Sequence, residues 1–361
     1  MTAARALVVL VSALLLGPLG ARADDMDVTL ARLSVIADQA GVPDPVPLVP
    51  GCPDQGMNRL PRTLCPEENA WRAIASQMGF ALAPPVLSPA RTTGYGGLYL
   101  GIESWLTGID SGGHVDSVRP GTPRVAYWEQ GTEGDSETDT ARNRFPADTL
   151  LWTRFVIRKG FPLGFELGMS FAKLVNTSYW AYGLELKWAL FEGFRYGIGI
   201  LPDIAVRGMV NTMVGESEFN LTVPTFDIVV SKRITVAGTG TITPMIAWQI
   251  AWIFADSELV DLTPRTDAFE ACQPDPSNTS TSCSTGAPGP MPGADYNNNT
   301  TFDELRAPRQ RLALGVRGQY QALQLTASFT FDLIKPGEQS DEVPDDLPRQ
   351  WTVAAGMGLA F

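Results

Sequence analysis

Histidine, long apolar runs, cysteine and positive charge are all scarce in this chain, and each shortage closes off a class of function. His114 is the only histidine, and neither pair of cysteines has C-x-x-C spacing. Transition-metal sites draw mainly on those two residue types, so no metal centre and no cofactor is expected. Beyond the N-terminal leader no run of about twenty apolar residues occurs, which argues against a bundle of membrane helices. The richest later stretch, 242–255, is broken by Thr243, Pro244 and Gln249. Lys and Arg total 27 against 39 Asp and Glu, a net charge of −12. Nucleic acid is therefore not an expected partner, because its recognition needs a basic surface. The cysteines fall as two pairs close in sequence, Cys52 with Cys65 and Cys272 with Cys283, each in a polar, Pro- or Gly-containing region. Two local disulfides are the expected choice among the three possible connectivities.

The N-terminus has the parts of a secretory signal peptide: Arg5, an apolar core over 7–16, and Ala21-Arg22-Ala23 as a cleavage site. The apolar core is shorter than the ~20 residues of a spanning helix, so cleavage after residue 23 is preferred to a membrane anchor. Residues 24–92 form a second unit. Leu30, Leu33, Ile36 and Ala37 have helical spacing, and so do Trp71, Ile74, Ala75 and Met78, which follow Pro66. A Pro-rich link carrying Cys52 and Cys65 joins them. A small helical extension in the periplasm, or a plug, is expected.

From Gly94 the period changes to two. Ten strands are predicted, at 95–106, 149–158, 162–173, 178–191, 195–210, 221–232, 240–254, 309–320, 322–333 and 350–361. In one of them Trp180, Tyr182, Leu184, Leu186, Trp188 and Leu190 oppose Ala181, Gly183, Glu185, Lys187 and Ala189. An Arg or Lys on the lipid face of a barrel costs about 2–4 kcal/mol at the midplane. The charged set must therefore point inward: Glu103, Arg154, Arg158, Glu166, Glu185, Lys187, Asp203, Arg207, Asp227, Arg311, Arg317 and Asp332. The apolar face is then the outer one, with Trp180, Trp188, Trp248, Trp252 and Trp351 as an interfacial girdle. The connections alternate too. Those at 159–161, 192–194, 232–239 and near Gln321 are short, and those at 107–148, 174–177, 211–220, 255–308 and 334–349 are mostly long.

The last residues alternate in the same way: Phe361, Leu359, Met357, Ala355, Val353 and Trp351 on one face, small residues on the other. A closing strand of this kind resembles that of bacterial outer-membrane β-barrel proteins. The spacing of Gly356, Leu359 and Phe361 looks like their C-terminal assembly signal, although Ala354 stands where that signal usually has a polar residue. The resemblance implies an all-β, antiparallel, up-and-down transmembrane barrel of about ten strands, roughly eight to twelve, over 93–361. With ten strands and the short connections at the periplasm, both termini are expected there; the resemblance adds insertion by the barrel-assembly machinery and contact with lipid and lipopolysaccharide.

Function is less legible. A ten-strand barrel is close to the size that side chains fill, so the inward charges are expected to pack as ion pairs. A structural or interaction barrel, or a narrow transport component, anchoring a periplasmic protein partner, is the preferred reading. A porin-like channel for small solutes is the alternative. A third reading is a surface hydrolase using His114 with Asp116. The omptin proteases are similar in strand number alone; the His-x-Asp order here reverses theirs, and no catalytic residue is assigned. The acidic loop 255–308 contains Asp295-Tyr-Asn297-Asn-Asn299, which opens like a calcium loop but has Thr300 and Arg306 where Gly and Glu belong. Weak Ca²⁺ or Mg²⁺ binding is the most it implies.

Overall fold

The computed structural model describes residues 26–36, 64–111, 114–115, 123–124, 127–134, 143, 145–192, 201–236, 240–262 and 299–361. Ten long strands carry the architecture: β1 (Leu98–Gly108), β2 (Thr149–Gly160), β3 (Phe165–Leu174), β4 (Trp180–Phe191), β5 (Asp203–Val214), β6 (Phe219–Ser231), β7 (Gly240–Ser257), β8 (Leu305–Tyr320), β9 (Leu323–Asp332) and β10 (Trp351–Ala360). Each is antiparallel to its sequence neighbours. β10 pairs with β1, from Thr352↔Thr107 to Ala360↔Tyr99, and closes the sheet into a barrel. Closure pairs each of the ten long strands on both sides, the condition for strands to cross lipid.

The period-two pattern becomes two faces. In β4 the inward Ala181, Gly183, Glu185, Lys187 and Ala189 are buried, while Leu184 is 63% exposed. Met169 of β3 and Leu325 of β9, on the same outer face, are 65% and 52% exposed. Such a continuous apolar belt is far larger than the patches a water-soluble monomer shows, and fits a lipid environment. Trp188, Trp248, Trp252 and Trp351 belong to it, and Trp188 stacks on Phe165 at 5.5 Å between ring centres.

The two ends differ. At one, the turn end, β8 and β9 are joined through Gln321, which takes the left-handed conformation (φ 53°) that suits a tight hairpin. At the other, the loop end, β1–β2 and β7–β8 are separated by 109–148 and 258–304.

Three expectations need correction. The fifth strand runs Asp203–Val214 rather than 195–210: Pro202 has no N–H for the ladder, and the strand begins immediately after it. The predicted helix over 27–40 is reduced to a 3-10 turn, Leu30–Arg32, followed by Ser34–Ile36 paired with Leu64–Pro66. Third, the two ends of the described chain do not share a side. The Met26 N–H donates to the Asn176 carbonyl at the loop end, whereas the Phe361 N–H donates to Leu98 at the turn end.

Candidate functional site: the occupied lumen

The chain between those two ends passes through the barrel. Helix α1 (Glu68–Leu82) starts at the loop end, where the Trp71 indole donates to the Asp303 carbonyl at 2.9 Å. A Glu68 carboxylate oxygen accepts the Asp303 N–H at 3.2 Å. The sequence suggests one apolar face, Trp71–Ile74–Ala75–Met78. The structure buries nearly the whole surface, including Ala73, Ser76, Gln77, Gly79, Phe80 and Ala81. A helix buried all round is in a core, and here that core is the lumen.

The C-terminal turn of α1 shows how closely wall and helix match. The last four carbonyls of a helix lack intrahelical partners, apart from any the cap supplies. Gly79 O receives the Ala83 N–H, and the remaining three are taken by barrel side chains. Arg311 donates to Phe80 O at 2.9 Å, Trp105 to Ala81 O at 2.7 Å, and Asn211 to Leu82 O at 2.9 Å. Arg311 also reaches Ala83 O and Pro84 O, both at 3.3 Å, and Gln249 donates to Pro84 O at 3.1 Å. A guanidinium at a helix C-terminus complements the negative end of the macrodipole as well.

Below α1 an extended segment descends to the turn end. Arg317 donates to Leu87 O at 2.7 Å, and Lys187 donates to Ser88 Oγ at 2.7 Å. The Ala90 N–H reaches Ser231 Oγ at 3.0 Å, and the Thr93 N–H reaches Glu166 at 2.7 Å. Gly94 and Gly96, with φ of 83° and 79°, then turn the chain into β1. Residues 68–92 of the second unit are therefore threaded through the lumen, and over that stretch the contacts are those of a plug.

All twelve charged residues singled out in the sequence face inward and are buried. Glu103 joins Arg154 at 2.5 Å and Arg158 at 2.9 Å, and Arg158 continues to Glu185 at 3.2 Å. Lys187 pairs with Glu166 at 2.6 Å, and Arg207 with Asp227 through Nε at 2.6 Å. Asp332 pairs with Arg309 at 2.5 Å. Arg309 is missing from the sequence-derived set, although it falls within the predicted strand 309–320. Its register with Arg311 and Arg317, two and eight residues on, was the available signal. It also donates to Ser76 Oγ of α1 at 2.8 Å. Arg311 and Arg317 differ from the rest: among the described residues their hydrogen bonds go to carbonyls and to Thr326 rather than to carboxylates.

The N-terminal residues close the loop end. Leu30 N–H donates to Glu218 at 2.6 Å, Arg32 to Thr132 O at 2.8 Å, and Val28 bridges to Thr132. Burial pushes the Glu218 carboxyl above its usual range, against the lowering effect of the Leu30 N–H.

His114 lies in a two-residue strand paired with Arg124, between β1 and β2; its side chain and Asp116 lie outside the described residues. So do Cys52, Cys272, Cys283 and Asp295 to Asn298, and with them both expected disulfides and most of the calcium-like loop. Among the described residues no cluster of metal-ligating side chains occurs. In β10, Gly356 lies opposite Glu103, Leu359 faces outward opposite Leu100, and Phe361 closes against Leu98.

No family model and no curated relative matches the chain. Solved structures do. The β-domain of the Bordetella autotransporter BrkA is 12% identical with a TM-score of 0.36, covering 74% of this chain and 100% of that one. The attachment invasion protein Ail of Yersinia pestis is 10% identical, with a TM-score of 0.24 over 74% and 99%. The KdgM porin, solved with disordered oligogalacturonate, is 7% identical, with a TM-score of 0.26 over 73% and 99%. The barrel class rests on the strand pairing of the chain itself.

Proposed function

We propose that this chain is a plugged, non-enzymatic barrel of the bacterial outer membrane, whose N-terminal segment holds the lumen shut. It acts as a structural or interaction barrel rather than an open pore. The observation that carries this reading is the capping of α1: three carbonyls that a helix leaves unsatisfied are each met by a different barrel strand. Unmatched, each buried carbonyl would cost about 1–3 kcal/mol, so a resident helix is favoured over a transient one. Bacterial barrels carry short periplasmic turns and long external loops, which puts the loop end outside. The interaction face is then the lid formed there by 26–36 with 127–134 and Glu218. This replaces a periplasmic partner with one met at the outer surface.

Planar-bilayer recording tests it. The intact protein should give no steady current, and a variant with 68–92 replaced by a Gly-Ser linker of equal length should conduct. Steady current through the intact protein would overturn the plugged reading and favour the small-solute channel.

A further inference from the structure

At the turn end, below the plug, the lumen keeps a polar cavity of about 230 Å³. Its ionisable walls are unbalanced: five cations, Arg91, Arg158, Lys187, Arg233 and Arg317, face two carboxylates, Glu166 and Glu192. Arg91, Arg158 and Lys187 have carboxylate partners, the first at 3.5 Å from Glu192. Arg317 has none among the described residues, although it is only 9% exposed.

We propose that this cavity is a binding site for a small oxyanion, a solute bearing a carboxylate or phosphate group, centred on Arg317 and Tyr99. The guanidinium is fixed before any ligand arrives. Its Nε donates to Thr326 at 3.1 Å and one Nη to Leu87 O at 2.7 Å, while the other Nη has no protein acceptor among the described residues. The Tyr99 ring lies under two cations, with Arg317 Cζ at 5.8 Å and Arg158 Cζ at 5.2 Å from its centre. Tyr99 is 3% exposed, lines the cavity, and its hydroxyl likewise has no partner among the described residues. A guanidinium edge and a phenol O–H together make an oxyanion cradle, because both donate and the cation supplies the charge.

The wall is shaped for this ring. Gly101 and Gly358 are directly opposed on β1 and β10. A Cβ on the first would meet the Tyr99 hydroxyl at 2.4 Å, and on the second the ring at 2.5 Å. Two glycines at one register position let the ring lie along the wall and keep the space free. A buried cation without a carboxylate is costly, and a bound anion relieves that cost. The volume is below the roughly 300–1,000 Å³ of drug-sized pockets, which limits the ligand to a phosphate ion or a short dicarboxylate. The site does not depend on whether the lumen conducts, since it is reached from the turn end past exposed Arg233.

Titration calorimetry on the folded protein in detergent, with inorganic phosphate and with succinate as probes, tests the site. One saturable event with at least one probe is expected, weakening as salt rises. Arg317→Gln should lower its affinity at least tenfold, and Tyr99→Phe, which removes one hydroxyl, severalfold. Arg306→Gln, the same charge change at the loop end, should bind as the unmodified protein does. If Arg317→Gln fails to fold, judged by migration of unheated samples, Tyr99→Phe carries the test alone. No saturable heat with either probe, or unchanged affinity in the folded variants, would overturn the proposal.

Discussion

A single glycine should control how firmly the plug sits. Gly79 of α1 faces Ile253 of β7 so closely that a Cβ would meet Ile253 Cγ2 at 2.5 Å and Cδ1 at 2.8 Å. Ile253 is fully buried and has no solvent to retreat into. Gly79→Val places three carbons in that gap. Overpacking of this kind costs about 1–3 kcal/mol, and three atoms at a fully buried contact put it near ~3 kcal/mol. Val is a slightly better helix residue than Gly, which returns a few tenths of a kcal/mol. The net loss of about 2.5 kcal/mol should raise the population of the undocked helix roughly 60-fold. Hydrogen exchange over 68–82 reads that population directly, because amides of a docked helix exchange only when it opens. Protection should fall by that factor in α1 while β2–β4 stay unchanged.

Ile253→Ala supplies the control, since it removes three carbons from the same contact. Alone it leaves a cavity and costs about 2–5 kcal/mol. Combined with Gly79→Val it restores the volume, and the double variant should regain most of the lost protection, as residues in direct contact are not additive. Unchanged protection in Gly79→Val, or a double variant worse than both singles, would refute the docking geometry.

Other consequences are open to measurement. Arg311→Lys keeps the charge but gives up the planar fork that spans Phe80 O, Ala83 O and Pro84 O, so protection of α1 should drop by about tenfold, the value of one charge-assisted bond of ~1.5 kcal/mol. Glu68, at the mouth beyond the strand ends, has its carboxyl pushed up to about 7, chiefly by burial, with the neighbouring Asp303 charge adding to it. The docked state therefore holds a proton that the undocked state releases above the ordinary carboxylate range; docking is fully stabilised below about pH 4.5 and weakens as pH rises through about 7. Exchange from α1 should be faster at pH 8 than at pH 5.5 after correction for intrinsic rates, and Glu68→Gln should flatten the difference. Residues 36 and 64 both lie at the loop end, so an epitope inserted between them should be labelled on whole cells, while a tag after Phe361 should require permeabilisation. Labelling of both on the same side would contradict the threading.

The barrel was legible because lipid imposes a rule that sequence obeys residue by residue. Any wall position is either apolar or inward, so Lys187 and Arg207 fixed the phase of β4 and β5 without knowledge of the rest. Where the rule is silent the reading slipped. Pro202 marked an irregularity, but alternation alone did not show that β5 starts just after it. The plug was less legible for a different reason. Its partners on the wall, Trp105, Asn211, Gln249 and Arg311, bind backbone carbonyls, and a carbonyl leaves no trace in a residue pattern. The one trace was the stretch from Ala73 to Leu82, which has no charged side chain and several small ones. A helix lying on a water-soluble surface would carry charge on its outer face.

Size explains why a helix rather than side chains fills the upper lumen. An α-helix with ordinary side chains is about 10–12 Å across, while an eight-strand barrel has room only for its own inward residues. Ten strands leave a space between those limits, and the chain meets it by making both surfaces small. Ala73, Ala75, Gly79 and Ala81 thin the helix, and Ala172, Ala181, Ala251, Ala255 and Ala307 thin the facing wall. Without the helix the inward alanines would leave apolar wall facing water inside the barrel. Arg311 would then exchange the fixed carbonyls it bonds here for water. Wall and plug thus depend on each other. Replacing two of the wall alanines, Ala251→Leu with Ala307→Leu, should leave strand pairing intact and expel α1, giving a barrel that migrates as folded on gels without heating but shows no protection over 68–82. Full protection in that variant would mean that the helix does not occupy the space between those strands.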